Sequence, residues 1–472
     1  MDEISFGTDG WRAPLDTFTD RRVRIVGQAV ADTLAETGVD DAAEDTPERP
    51  VIVGYDARPT SEGFAESLAE VLAGNGFDVL LPERDCPTPL VAHAIVERDA
   101  AGALMVTASH NPPEYNGVKF IPEDGAPALP EVTERIEANL CDPDLTAAGT
   151  PDEGEVSRVD LATPHAERAR DLVAGGEGTL DLSGLTVAYD AMHGSGRGVT
   201  DALLESAGAE VERLRCERDP EFGGGSPEPS AENLEELVAR VAESDADLGI
   251  ANDGDADRLA IVTPERGHLD ENLFFAATYD HLLDGDSGPA IRTVSTTFLI
   301  DRIAEAHGEE VFETAVGFKW VAHAMGEHDA LMGGEESGGF SVRGHVREKD
   351  GVLMALLSAA AASEESYDDR VDRLAAEHGR IVADKVSIDC PDAEKARVID
   401  DLADHIPDEV AGEAVADVVT VDGFKLLLDD GSWLLVRPSG TEPKMRVYAE
   451  SGSEADTAAI LADGRELVEP LV

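Results

Sequence analysis

The sequence predicts an α/β protein, with three consecutive mixed α/β domains followed by a C-terminal α+β domain. Three observations carry this expectation. Apolar, strand-like runs alternate with helical patterns through most of the 472 residues, the pattern of parallel βα units. One hydrophobic core rarely grows past about 250–300 residues, so a chain this long should divide into several cores with clefts between them. Beyond residue 369 the pattern changes to alternating segments around Asp430-Gly431, a strong hairpin turn.

In chain order, the first unit (1–150) holds strands at 51–54, 79–81 and 101–106 and helices at 64–73 and 90–98. A polar stretch bearing Pro and Gly, 141–155, reads as a linker. The second unit (151–262) repeats the scheme with strands at 185–189, 211–214 and 247–251 and helices at 199–206 and 232–243. In the third (263–368), helices at 272–283, 298–307, 320–328 and 351–365 alternate with strands at 290–295 and 311–314 and a turn at 333–335. The fourth (369–472) contributes an antiparallel sheet through 424–429, 432–437 and 445–450. Each α/β unit follows a strand with a distinctive polar loop. Ligands in open α/β sheets bind at the carboxyl ends of strands, so these loops are expected to share one cleft.

Composition narrows the function. Hydrophobic residues make up 42% of the chain, which excludes general disorder. The longest apolar run, 352–362, is too short to span a bilayer. The opening residues carry neither a basic region nor an apolar one, so a cytoplasmic chain is expected. Asp and Glu number 99 against 37 Lys and Arg, a net charge of −62 spread along the whole length. Such self-repulsion weakens a compact state in dilute salt and is screened at molar salt, which points to a halophile's enzyme. Nucleic acid and anionic membranes find no basic patch and are excluded as partners. Cys86, Cys141, Cys216 and Cys390 form no metal-binding spacing and read as reduced thiols.

Four loops can carry chemistry. Thr107-Ala108-Ser109-His110-Asn111-Pro112-Pro113, leading to Lys119, offers a serine nucleophile or a polar turn. Asn252-Asp253-Gly254-Asp255-Ala256-Asp257-Arg258 sets three carboxylates at alternate positions beside an apolar strand. A hard oxygen site for Mg²⁺ offsets the cost of burying them; a solvated acidic loop is the alternative. Gly333-Gly334-Glu335-Glu336-Ser337-Gly338-Gly339 lets backbone approach closely, with Glu335 and Ser337 able to bond sugar hydroxyls. Arg437-Pro438-Ser439-Gly440-Thr441-Glu442-Pro443-Lys444-Met445-Arg446 offers forked donors, hydroxyls and amides for a phosphate. A phosphorylated ligand needs a local cationic pocket in so acidic a chain; Arg12, Lys119, Arg258, Lys319, Arg437 and Arg446 are its candidates.

Taken in this order, with Phe6-Gly7-Thr8-Asp9-Gly10-Trp11-Arg12, Gly54-Tyr55-Asp56-Ala57-Arg58 and Asp190-Ala191-Met192-His193-Gly194, the motifs resemble the α-D-phosphohexomutase family. That family includes phosphoglucomutase, phosphomannomutase and phosphoglucosamine mutase. The resemblance implies four domains around a central cleft and a reversible shift of phosphate between O6 and O1 of a hexose. By it Ser109 carries a phosphoryl group, and Asp253, Asp255, Asp257 and a phosphoserine oxygen hold Mg²⁺. It further implies that Glu335 and Ser337 grip the sugar, while Arg437, Ser439, Gly440, Thr441 and Arg446 hold the non-reacting phosphate; Lys319 is a further substrate-binding candidate. Lys119 is the implied acid or base, with Arg12, His110 and Arg258 stabilising charge. A hexose 1,6-bisphosphate is the implied intermediate, and its turnaround calls for a fourth domain hinged near 364–369. The form of the sugar loop favours glucose, then mannose; phosphoglucosamine mutase is the alternative, and a metal-dependent sugar-phosphate phosphatase a further one. Small hexose phosphates are the expected partners of a monomer or dimer.

Overall fold

The computed structural model describes residues 4–7, 10–41, 49–145, 148–150, 153–175, 178–440 and 442–472, with the side chains of 37–41 excepted. Thr8, Asp9 and Thr441 lie outside the described residues, as do parts of the expected linker, whose described residues carry no helix or strand. Four sheets follow one another along the chain, three mixed and one wholly antiparallel.

The first sheet orders Trp11–Pro14, Tyr115–Pro122, Gly102–Val106, Val51–Tyr55, Val79–Pro82 and Val156–Val159. Its central strands are apolar at every position because helices cover both faces. Tyr115–Pro122, where the sequence reading predicts no strand, is a strand antiparallel to Gly102–Val106 that pairs Lys119 with Met105. Its polar and glycine residues conceal the strand; the pairing buries it. The strand Val156–Val159 pairs with Val79–Pro82 and so joins the first sheet, although it follows residue 150.

The second sheet orders Gly267–Leu269, Leu259–Thr263, Leu248–Asn252, Thr186–Asp190 and Glu210–Leu214. The third orders Val311–Thr314, Ala290–Thr293, Met332–Gly334 and Phe340–Val342. The apolar run read from the sequence is the helix Gly351–Glu364, buried at nearly every position because it packs against both of these units. Asp350 caps it, accepting from the amides of Val352 and Leu353 at 3.0 and 2.7 Å.

One continuous buried cluster runs through the first three units, from Ile52 through Tyr189 and Phe275 to Leu356. The fourth unit has its own core around Leu434, Val447 and Ile460. It meets the third through the smaller cluster Val294, Trp433, Leu435 and Tyr448. The expected hinge at 364–369 is corrected: Tyr367–His378 is a helix tied to the third unit by Arg370 on Asp280 and to the second sheet by Thr263 on Asp368. The chain crosses to the fourth unit just after it, where Gly379 has φ +89°. The four cysteines are free thiols. Among the described residues, no helix is long and apolar enough to cross a membrane.

Candidate active site

Ser109 stands just past the strand Gly102–Val106, buried and in the left-handed region at φ 50°. That conformation is costly for serine, and surrounding contacts hold it there. Its amide donates to Thr107 Oγ1 at 2.8 Å. The fully buried Arg58 gathers the loop by donating to the carbonyls of Ser109 (2.8 Å), Asn111 (2.6 Å), Pro112 (2.7 Å) and Tyr115 (3.1 Å). Arg58 is itself paired with buried Asp56 at 3.0 Å, whose second oxygen accepts from Ser61. Sequence reasoning quoted this arginine within a motif but assigned it no part in the site. A five-donor fork is the side chain that can serve several carbonyls at once.

The hydroxyl of Ser109 donates to Asp253 Oδ2 at 2.7 Å, bringing the first and second loops together. Gly254 is required here, because a β-carbon would lie 2.6 Å from the Ser109 carbonyl oxygen. Asp253, Asp255 and Asp257 are all buried, and one oxygen from each lies within 4.8 Å of the others. Burial, then the neighbouring Asp255 and Asp257, push the Asp253 carboxyl well above the usual carboxylate range. Asp255 Oδ2 accepts from Thr88 at 2.6 Å, while its Oδ1 is buried with no hydrogen-bond partner among the described residues. Three buried carboxylates with an orphaned oxygen fit a divalent cation with hard oxygen ligands such as Mg²⁺. Asp257 Oδ2 is also 3.3 Å from Lys119 Nζ and 3.2 Å from Lys349 Nζ. Lys349, one of the chain's few lysines and close after the loop 333–339, was not among the candidate site residues, and the fold brings it to the aspartate loop.

Arg258 joins the second loop to the third. Its amide donates to Asp253 Oδ1 at 3.2 Å, its Nη1 reaches the Ser337 carbonyl at 3.5 Å, and it bridges to Gly339. Arg12, paired in register with Gly117, reaches Asn111 Oδ1 at 3.5 Å. Arg258, burial and Arg12 together drive His110 down to about 2, so its ring is neutral. It can bond Ser109 Oγ, 3.3 Å from Nδ1, while the positive charge nearby belongs to the arginines.

In the third loop Ser337 is exposed and Glu335 buried, with Glu335 Oε1 accepting from the Gly317 amide at 2.8 Å. Burial, then Glu336, raise Glu335 to about 7 against the pull of Lys349 and Arg258. Lys319 lies in the first turn of the helix Phe318–His328 beside this contact, its Nζ 5.6 Å from the Trp320 ring centroid.

In the fourth unit Arg437 and Arg446 face each other across paired strands, on one face of the sheet. Arg437 Nε donates to Asp422 at 2.8 Å and Arg446 pairs with Glu442. Asp422 also accepts from the Val316 amide at 3.2 Å, joining this cradle to the third unit. Lys395 Nζ donates to the carbonyls of Ser439 and Glu442, both at 2.6 Å, and shapes the loop around Gly440. Neither Asp422 nor Lys395 carries a motif of its own. Hydrogen bonds thus run from Ser109 through Asp253, Arg258 and Ser337, and through Glu335, Gly317, Val316 and Asp422 to Arg437, touching all four units.

Comparison with known proteins bears on the fold and the family. Profiles of phosphoglucomutase/phosphomannomutase match in order: alpha/beta/alpha domain I over 3–145, domain II over 177–267, domain III over 270–378 and the C-terminal domain over 386–467. A Methanopyrus kandleri protein named "Probable phosphoglucosamine mutase" is 34% identical over 453 residues, 95% of this chain and 94% of its own. A "Phosphoglucomutase/phosphomannomutase" of Thermococcus kodakarensis is 31% identical, covering 89% of this chain and 90% of its own. The crystal structure assigned as a phosphomannomutase from Thermus thermophilus superposes with a TM-score of 0.83 at 32% identity, covering 99% of both chains. An Aspergillus fumigatus N-acetylphosphoglucosamine mutase, crystallised with GlcNAc-6P and magnesium, shares the fold at TM-score 0.60 and 15% identity, over 98% of this chain and 96% of that one. The chain belongs to the phosphoglucomutase/phosphomannomutase family of the α-D-phosphohexomutase superfamily, and is a mutase of the isomerase class.

Proposed function

We propose that the chain interconverts hexose 1-phosphates and hexose 6-phosphates through a phosphoryl group carried on Ser109 Oγ. The observation that carries this reading is the 2.7 Å contact between that hydroxyl and Asp253 in a buried triad of carboxylates. In the first half-reaction the bond from phosphorus to Ser109 Oγ breaks as one forms to the free O6 or O1 of the sugar phosphate. The proton of the sugar hydroxyl passes to Lys119, and a proton returns to Ser109. The hexose 1,6-bisphosphate turns about in the cleft and gives its other phosphate back to Ser109. Arg437, Ser439, Gly440, Thr441 and Arg446, with Lys319, hold whichever phosphate is not reacting. Glu335 and Ser337 orient the sugar, and Arg12 and Arg258 face the spreading negative charge. Asp253, Asp255 and Asp257, with a phosphoserine oxygen, would hold Mg²⁺, which would supply Lewis-acid stabilisation of the transferring group.

Glucose 1-phosphate is the proposed first substrate and mannose 1-phosphate the next, from the form of the loop 333–339. Glucosamine 1-phosphate is the second reading, supported by the names of several relatives. Glu335 and Glu336 add a physical reason. The first is raised to about 7 by burial and then by the second, and a sugar ammonium beside them would ease that repulsion. With a charge of −62, the enzyme is a halophile's, built to act in concentrated salt.

The test is ³¹P NMR of the protein in molar KCl with Mg²⁺, a trace of glucose 1,6-bisphosphate and each of the three hexose 1-phosphates in turn. Conversion to the 6-phosphate, abolished by Ser109→Ala, supports the mutase and ranks the sugars. Steady release of free phosphate would instead identify a phosphatase.

A further inference from the structure

Outside the site just described, three histidines from three units meet. His93 lies on the helix Thr88–Glu97, His165 on the helix Ala162–Val173, and His345 follows the strand Phe340–Val342. Their ring centroids are 5.3 Å apart for His165 and His345, 5.5 Å for His93 and His345, and 5.6 Å for His93 and His165. Asp350 Oδ2 lies 2.6 Å from His165 Nε2 and 2.8 Å from His345 Nε2. The side chains of His165, His345 and Asp350 are at most 1% exposed.

Hydrogen bonds within the cluster leave it incomplete. Asp350 Oδ1 is committed to the amides of Val352 and Leu353. A neutral imidazole needs a partner at each nitrogen. Yet Nδ1 of His93, of His165 and of His345 is buried with no hydrogen-bond partner among the described residues. Buried polar atoms are normally paired, so these rings are not fully engaged by the protein around them.

We propose that His165, His345 and Asp350 form a second metal site, for a transition ion of the Zn²⁺ class, with His93 at its mouth. One nitrogen of each of the two rings and one oxygen of Asp350 already lie within 4.8 Å of one another. Imidazoles bound at about 2.1 Å around one tetrahedral ion have centroids about 5 Å apart, close to the spacing seen. Taking up the ion opens the contacts to Asp350 by about half an ångström. The donors are imidazole and carboxylate, a set suited to Zn²⁺ or Ni²⁺, whereas the all-oxygen Asp253 triad suits Mg²⁺. His93 is only partly buried, which leaves a path for the ion.

Such an ion would staple the helix Ala162–Val173 to the third unit. It would also fix Asp350 as the cap of Gly351–Glu364, and with it the adjacent Lys349 against Asp257.

The test uses metal-stripped full-length protein titrated with Zn²⁺ and, as a spectroscopic probe, Co²⁺. An Asp253→Asn/Asp255→Asn variant removes the other cation site. We expect that variant to keep one equivalent of Zn²⁺ and to show the visible bands of tetrahedral, nitrogen-bound Co²⁺. His165→Gln and His345→Gln should weaken binding beyond the roughly 10–100-fold that losing a mere supporting contact costs. Zn²⁺ should raise the thermal midpoint of the parent and not of His165→Gln. Should these variants not fold, the parent decides: its Co²⁺ bands must persist under excess Mg²⁺. Absence of a Mg²⁺-resistant equivalent, or binding indifferent to both histidine substitutions, overturns the proposal. Failure of the mutase assay leaves this outcome untouched.

Discussion

Lys349 crosses Gly339 so closely that a β-carbon at 339 would lie 2.5 Å from Lys349 Cδ and 3.0 Å from its Cγ. Lys349 then ends 3.2 Å from Asp257, and 5.4 Å from the Phe318 ring centroid. A glycine in the loop 333–339 thereby opens the route by which a third-unit lysine reaches the second-unit aspartate loop. Gly339→Ala should push Lys349 off Asp257 and slow turnover by about 100-fold, the scale of an ångström-sized misplacement at a reacting centre. Steady-state kinetics beside a circular-dichroism melt check this: kcat should fall while the melt barely moves. An unchanged kcat would show that the contact is not used.

Arg58 should be as important to stability as to activity. Arg58→Leu leaves Asp56 buried without its ion pair and four loop carbonyls without their donor. Breaking such a pair costs about 3–5 kcal/mol. Denaturant unfolding at fixed salt measures it. Arg58→Lys should recover part of the stability but little turnover, since a single ammonium cannot serve acceptors spread across the loop.

Glu335 predicts a pH dependence. Its ordinary value of 4.5 is raised to about 7, by burial first and Glu336 second. Between those values the folded chain holds a proton that the unfolded chain has released, so stability falls as pH rises through that window. Glu335→Gln keeps an oxygen for the Gly317 amide and removes the charge. It should be the more stable protein at pH 8, by about 1–3 kcal/mol, and no different at pH 4. In the parent, KM for the sugar phosphate should rise below about pH 7 as the carboxyl gains a proton. Melts and KM measured across this range, for both proteins, test the two halves separately.

Salt should act on the whole molecule. With 99 acidic against 37 basic residues, repulsion is long-ranged in dilute buffer. Raising salt from about 0.1 M to 1 M shortens the Debye length from about 10 Å to about 3 Å. The thermal midpoint is therefore expected to climb steeply over that interval in KCl. A flat response would mean that ion pairing already neutralises the surface.

Local sequence determined the scaffold and the chemistry-bearing loops. The buried strands Val51–Tyr55, Gly102–Val106, Thr186–Asp190 and Leu248–Asn252 were legible because a strand covered on both faces must be apolar at nearly every position. Ser109, the three aspartates and the loop 333–339 were legible because each interrupts such a run with polar or glycine residues at its carboxyl end. Tertiary structure decided the rest. Whether Tyr115–Pro122 is a strand depended on the neighbour it pairs with. The grip of Arg58 on the Ser109 loop, of Lys349 on Asp257, and of Asp422 on both Arg437 and Val316 joins residues far apart in the chain. So does the meeting of His93, His165 and His345. Periodicity and turn chemistry record what each segment does with its immediate neighbours. A buried charge or imidazole is set instead by whichever units dock around it, and that docking leaves no local mark on the sequence.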